Sequence, residues 1–212
     1  MLGLEDGGLP LELLLIRHGE AIYGENDGLT EKGRKQAELL AERLEGSGLH
    51  HLYASPVPRA RDTAAIVAAR LGHDIRYDDR FREIDIGNLP RTDGEQQAQW
   101  ARRRGRAAQA QGKYRLDFTK WDGEGPAALH ERVSEVLPEI IVGPHGESDD
   151  RVALVAHGGF INASLHFLID VPFAGDMNFS LANTSITRVH ISPHGSTILS
   201  VNDYHHLAPM GS

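Results

Sequence analysis

Three short segments carry the residue types needed to hold and attack a phosphate. Arg17-His18-Gly19-Glu20 sits directly on the end of the apolar run Leu11-Glu12-Leu13-Leu14-Leu15-Ile16. Ser55-Pro56-Val57-Pro58-Arg59-Ala60 and Ala156-His157-Gly158-Gly159 repeat the design, each placing a cation or an imidazole beside a Gly or Pro turn. If the three strands are neighbours, two guanidinium groups and two imidazoles converge at the carboxyl edge of one sheet, where open α/β folds bind their ligands. Guanidinium forks match phosphate oxygens in a bidentate way and stay charged at any working pH. A neutral imidazole is a nucleophile that can form a covalent bond to phosphorus. Phosphoryl transfer then needs mainly in-line positioning, charge neutralisation and an acid for the leaving oxygen. Glu83, in Phe81-Arg82-Glu83-Ile84-Asp85, is the candidate acid, with Asp85 two residues on and Glu20 as competitors.

The elements that must position these residues alternate between strand-like and helix-like patterns, as in a layered α/β sheet. Residues 12–16 read as a buried strand. Thr30 is placed to cap a helix reaching Leu44, with Ala37, Leu40, Ala41 and Leu44 on one face. A short strand over 52–54 leads into a helix over about 58–70 that Gly72 stops, and Pro58 is tolerated in its first turn. Strands follow at 75–77 and 151–156, and a hairpin over 186–191 and 197–201. A helix over about 126–141 should kink or end early at Pro138. The expectation is a single 1–212 domain, a three-layer α/β/α sandwich with a mostly parallel central sheet. Residues 85–125 break the rhythm and read as an inserted, lid-like segment.

Composition narrows the function classes. A chain of 212 residues is long enough to bury a substantial core. A net charge of −8 argues against broad nucleic-acid binding, so an anionic ligand must meet a local positive pocket. With no cysteine, thiol nucleophiles, disulfides and thiolate metal sites are excluded. The first residues lack a basic leader, and no apolar run approaches membrane-spanning length. These features lead us to expect a soluble, cytoplasmic protein with no membrane partner and a small phosphorylated substrate; they leave the oligomeric state open.

The sequence resembles the histidine phosphatase superfamily, in its phosphoglycerate-mutase-like first branch. The resemblance rests on five blocks in the family's order: Arg17-His18-Gly19-Glu20, Leu29-Thr30-Glu31-Lys32-Gly33-Arg34-Lys35-Gln36-Ala37, Ala54 through Ala64, the Glu83 segment, and Val155-Ala156-His157-Gly158-Gly159. It implies that His18 is phosphorylated, that Arg17, Arg59 and His157, with Gly158, bind the phosphate, and that Glu83 is the proton donor. It also implies a metal-independent reaction with no cofactor. Asp122-Gly123-Glu124-Gly125 stands where relatives carry a Gly-Gly-Glu-Ser element, and Asn88-Leu89-Pro90-Arg91 replaces a Trp-Glu-Gly-like stretch. The expected activity is a phosphomonoesterase; a mutase-type phosphotransferase and a catalytically weak phospho-ligand-binding module are the alternatives.

Other features favour ordinary readings. Arg61 and Asp62 suit a solvated pair on a helix. The Arg102-Arg103-Arg104-Gly105-Arg106 cluster suits a solvated face more than a rim that draws polyanions. His50-His51 and His205-His206 lack a supporting carboxylate pattern and read as surface residues, so no metal site is expected. Trp100 and Trp121 suit packing within the inserted segment.

Overall fold

The computed structural model describes residues 10–22, 28–88, 115–146 and 148–210. Strand β1 (Leu11–Arg17) is buried along almost its whole length, as its apolar residues require when both faces of a sheet are covered, and its buried Glu12 is paired with Arg151 and Arg188. Leu11, Leu13 and Leu15 pack on one face with Val152, Leu154 and Ala156, while Leu14 and Ile16 pack on the other with Ala153 and Val155. The period-2 alternation of strand side chains therefore serves two cores. Helices α1 (Glu31–Leu44) and α2 (Pro58–Leu71) cover the second face. Helices α3 (Pro126–Val136) and α5 (Gly158–Leu168) cover the first.

The remaining strands are β2 (His51–Ala54), β3 (Ile75–Tyr77), β4 (Arg151–Ala156), β5 (Ile186–Ser192) and β6 (Gly195–Asp203). They join β1 in one sheet of order β3-β2-β4-β1-β5-β6. The sheet is mixed, which corrects the expectation of a mostly parallel one. The junctions among β3, β2, β4 and β1 are parallel, but β5 runs antiparallel to β1 and β6 antiparallel to β5. The physical reason is the tight β5–β6 hairpin: instead of capping the fold separately, it pairs with the open edge of β1.

Local signals decide the helix ends. The Thr30 hydroxyl accepts the Gly33 N–H at 2.9 Å and caps α1, and Gly72 ends α2 at φ +71°. After α3 the chain continues through a π-helical stretch, Leu137–Val142, into the short α4 (Gly143–His145). Pro138 falls within that stretch, where its missing N–H breaks the i→i−4 ladder.

Only the two ends of the expected insertion lie among the described residues, and both are anchored. Ile86 at the first end and Trp121 at the second pack against the core in which Leu116 and Phe118 are buried. Residues 89–114, with Trp100 and the Arg102–Arg106 cluster, lie outside the described residues. Among the described residues no helix is long and apolar enough to cross a membrane.

Candidate active site

Parallel pairing of β1 with β4 and of β4 with β2 places the three strand ends side by side, so the sequence-picked residues meet. His18 follows β1, His157 follows β4, and Arg59 enters from the first turn of α2. The His18 and His157 rings lie 5.2 Å apart between centroids. Arg59 Nε donates to His18 Nε2 at 3.1 Å.

His18 Nδ1 contacts the Gly19 carbonyl oxygen at 2.7 Å. A carbonyl only accepts, so Nδ1 carries the proton and Nε2 presents its lone pair. Burial, with Arg17 and Arg59 close by, holds the His18 pKa well below the ordinary imidazole value. Burial does the same to His157, aided by His18, Arg59 and Arg17. Both rings are neutral at pH 7 in this pocket.

His157 Nε2 is 2.9 Å from the Ser55 hydroxyl, which itself accepts the Val57 N–H at 3.3 Å. With that hydroxyl donating to Nε2, the His157 proton lies on Nδ1. His157 Nδ1 and Arg17 Nε are both buried and have no hydrogen-bond partner among the described residues. Arg17 is held from its other end, where Nη1 donates to the Leu181 carbonyl. Unpaired buried donors are costly, and a tetrahedral anion is the ligand whose oxygens would satisfy them.

Glu83 lies at the amino end of α5, directly beyond His157. Its Oε2 accepts the Gly159 N–H and its Oε1 the Phe160 and Ile84 N–H groups, each at 3.1 Å. A Cβ on Gly159 would fall 2.5 Å from Glu83 Oε1, so only glycine lets the carboxylate approach. Asp85 is exposed and turns away, accepting the Gly87 N–H at 2.9 Å. Glu20 turns to Thr30 and Lys32 instead. Of the three acids, Glu83 alone bonds to the start of α5.

The supporting residues were harder to see in the sequence. Thr63, four residues after Arg59, donates to the Arg59 carbonyl at 2.7 Å and accepts the Gly19 N–H at 3.0 Å. This ties α2 to the loop that turns His18. Asn183 Nδ2 donates to the His18 carbonyl at 2.9 Å, and Thr184 donates its N–H to the Arg17 carbonyl from a left-handed backbone conformation, φ +58°. His206 braces Thr184 at 3.1 Å, so it is half-buried and structural, contrary to its surface reading. Arg61 and Asp62 do pair with each other in the open, at 3.1 Å.

Arg132 and Glu124 explain how the acidic segment is held. Arg132 makes a two-point contact with Glu124 at 2.9 and 2.7 Å, and its Nη1 donates to the Arg80 and Arg82 carbonyls. Glu124 in turn accepts the Asp85 N–H at 3.1 Å. The backbone on both sides of Glu83 is thus fastened to α3. The side chains are only 9% and 10% exposed, so Arg132→Ala leaves a buried carboxylate uncompensated. That costs about 3–5 kcal/mol, or roughly 6–20 °C of melting temperature in a chain of this size. Thermal unfolding measures it, and a shift under about 2 °C would mean the pair is not holding this segment.

The two depressed histidines also make stability depend on pH. Their unfolded values are near about 6.5 and their folded values lie well below, so the unfolded chain takes up protons first as pH falls. Their contribution is complete above about pH 6.5 and is lost progressively below it. Urea midpoints measured downward from pH 7.5 should therefore fall, and His18→Ala should flatten that fall. Identical slopes in the two proteins would contradict a buried neutral His18.

The family model for the histidine phosphatase superfamily, branch 1, matches residues 13–204. Among curated proteins, the "Probable phosphoglycerate mutase GpmB" of Citrobacter koseri is 32% identical over 191 residues, covering 84% of each chain. Among solved structures, a mycobacterial glucosyl-3-phosphoglycerate phosphatase complexed with VO3 superposes with a TM-score of 0.70 at 26% identity, over 91% of this chain and 99% of that one. A protein titled "Mycobacterial hydrolase 1" gives 0.72 at 27% identity, over 91% and 99% of the two chains.

Proposed function

We propose, for a chain that belongs to branch 1 of the histidine phosphatase superfamily, a phosphomonoesterase that works through a phosphohistidine on His18. The observation that carries this reading is the His18 tautomer. With Nδ1–H committed to Gly19, the Nε2 lone pair lies beside Arg59 Nε and close to the His157 ring. When substrate binds, Arg59 Nε–H turns from Nε2 to a phosphate oxygen, and the freed lone pair attacks phosphorus as the bond to the substrate's ester oxygen breaks. Arg17 and Arg59 neutralise the equatorial oxygens, where charge is spread in the transition state, and neutral His157 donates its Nδ1–H to one of them. The Gly158 backbone lines the same pocket, beside Arg17 Nε.

Glu83 gives its proton to the departing alkoxide. Its Oε2 accepts one N–H, which leaves a second lone pair to carry that proton. As a carboxylate it then takes a proton from water. The water attacks phosphorus, the P–N bond breaks, and inorganic phosphate leaves with His18 restored. No metal or cofactor takes part in these steps.

A mutase is the second reading, favoured by the 32% identity to the curated protein named for that activity. A panel of phosphomonoesters, run with and without chelator and including both phosphoglycerate isomers, separates the two. A phosphatase releases inorganic phosphate at the same rate in chelator. A mutase interconverts the isomers with little release, and that result would replace the hydrolytic reading.

A further inference from the structure

The opposite edge of the sheet carries a second group of ligating side chains. His51 opens β2, Asp150 immediately precedes β4, and His145 ends α4. One ligand atom from each lies within 4.8 Å of those of the other two. His145 Nδ1 is 2.9 Å from Asp150 Oδ2, and His51 Nε2 is 3.4 Å from the same oxygen. The fold thus supplies the carboxylate that the His50-His51 pair lacks in sequence. His50 itself is committed elsewhere, its Nδ1 accepting the Arg151 N–H at 2.8 Å.

Two nitrogens and one carboxylate oxygen are the donors of an open tetrahedral zinc site, with water in the fourth position. Bonds of about 2.0–2.1 Å set tetrahedral ligand separations of about 3.4 Å, near the spacing already present at Asp150. His51 is half-exposed and can swing in to close the remaining gap, whereas His145 is buried and fixed. The outer support is also in place. His145 Nε2 lies 3.0 Å from the Tyr53 hydroxyl, and Arg76 Nη1 donates to that oxygen at 2.9 Å. A metal on Nδ1 shifts the His145 proton to Nε2, where Tyr53 oxygen accepts it, so neutral His145 binds without losing a proton.

We propose that His51, His145 and Asp150 form a zinc-class divalent cation site at the amino edge of the sheet. It is separated from His157 by the length of β4, roughly 20 Å at about 3.3 Å per residue. At that distance the ion takes no part in phosphoryl transfer. It ties α4 to the starts of β2 and β4, and its effect is on stability.

Isothermal titration with Zn²⁺, and Co²⁺ visible absorption as a report on coordination geometry, test the site on chelator-treated, dialysed full chain. One ion per chain with a tetrahedral Co²⁺ spectrum is the expected result. His51→Ala and Asp150→Asn should each weaken binding at least tenfold, while His194→Ala, an exposed histidine in the β5–β6 turn, should not change it. Tyr53→Phe should weaken it about tenfold through loss of the outer partner, the low end of the range for such contacts. His51 is exposed enough for its alanine variant to fold, which circular dichroism checks. Binding that survives in the His51→Ala, Asp150→Asn double variant overturns the site. So does wild-type binding no tighter than that variant's, which would leave the cluster a hydrogen-bonded brace alone. Loss of phosphatase activity in His18→Ala does not bear on either outcome.

Discussion

His18→Ala is expected to lose turnover by about 10⁴-fold or more, on the scale seen when one member of a catalytic unit is removed. The reason is specific to the geometry. Arg59 Nε points at His18 Nε2, and the nearby His157 has its Nε2 engaged by the Ser55 hydroxyl, so among the described residues no second group is placed to take over the attack. The fold should survive, because His18 lies beyond the last residue of β1 and not within either core. Wild-type protein mixed with a labelled phosphomonoester and quenched in alkali should carry label on His18, since phosphohistidine survives alkali and is cleaved by acid. Label on a serine or an aspartate, or an active alanine variant, would sink the mechanism.

That His18 could be singled out from sequence has a simple cause. A strand buried on both faces is apolar wherever no ion pair compensates it, as over residues 13–16, so the point where Ile16 gives way to Arg17-His18-Gly19 marks the edge of the sheet. The same logic located Ser55 and His157 at the ends of β2 and β4. Chain order, however, says little about which strands become neighbours. The antiparallel placement of β5 beside β1 depends on pairing across more than 160 residues, so the parallel content of the sheet was overestimated.

Residues that act through partners distant in sequence were the least visible. Arg132 reads as an ordinary charge in an amphipathic helix until α3 packs beside the 3₁₀ turn at Asp79–Phe81, where it meets the Arg80 and Arg82 carbonyls. Glu124, in a segment that departs from the family pattern, likewise shows no role until Arg132 meets its carboxylate. His51 gained a carboxylate only because β2 and β4 start at the same edge, bringing position 150 to position 51. His206 was read as a surface residue for the same reason: its partner, Thr184, is on another segment.

Glu83→Gln should lower turnover by about 10²–10⁴-fold for alkyl phosphates, the usual worth of a positioned general acid. The amide keeps the shape of the carboxylate, although with one acceptor end it holds either the Gly159 N–H or the Phe160 and Ile84 N–H pair, and it cannot deliver a proton to a leaving alkoxide. Aryl phosphates release a far weaker base, which leaves without that help, so formation of the phosphohistidine from them should be nearly spared. Hydrolysis of the intermediate still needs a base for water. The variant should therefore show a burst of aryl alcohol followed by slow turnover, and label should accumulate on His18. Comparing burst and steady-state rates across a series of leaving groups separates the two roles. Equal losses for alkyl and aryl substrates in the first step would make Glu83 a binding residue held by the start of α5. The acid would then have to come from another group, and Asp85, turned toward Gly87, would need a rearranged backbone to supply it.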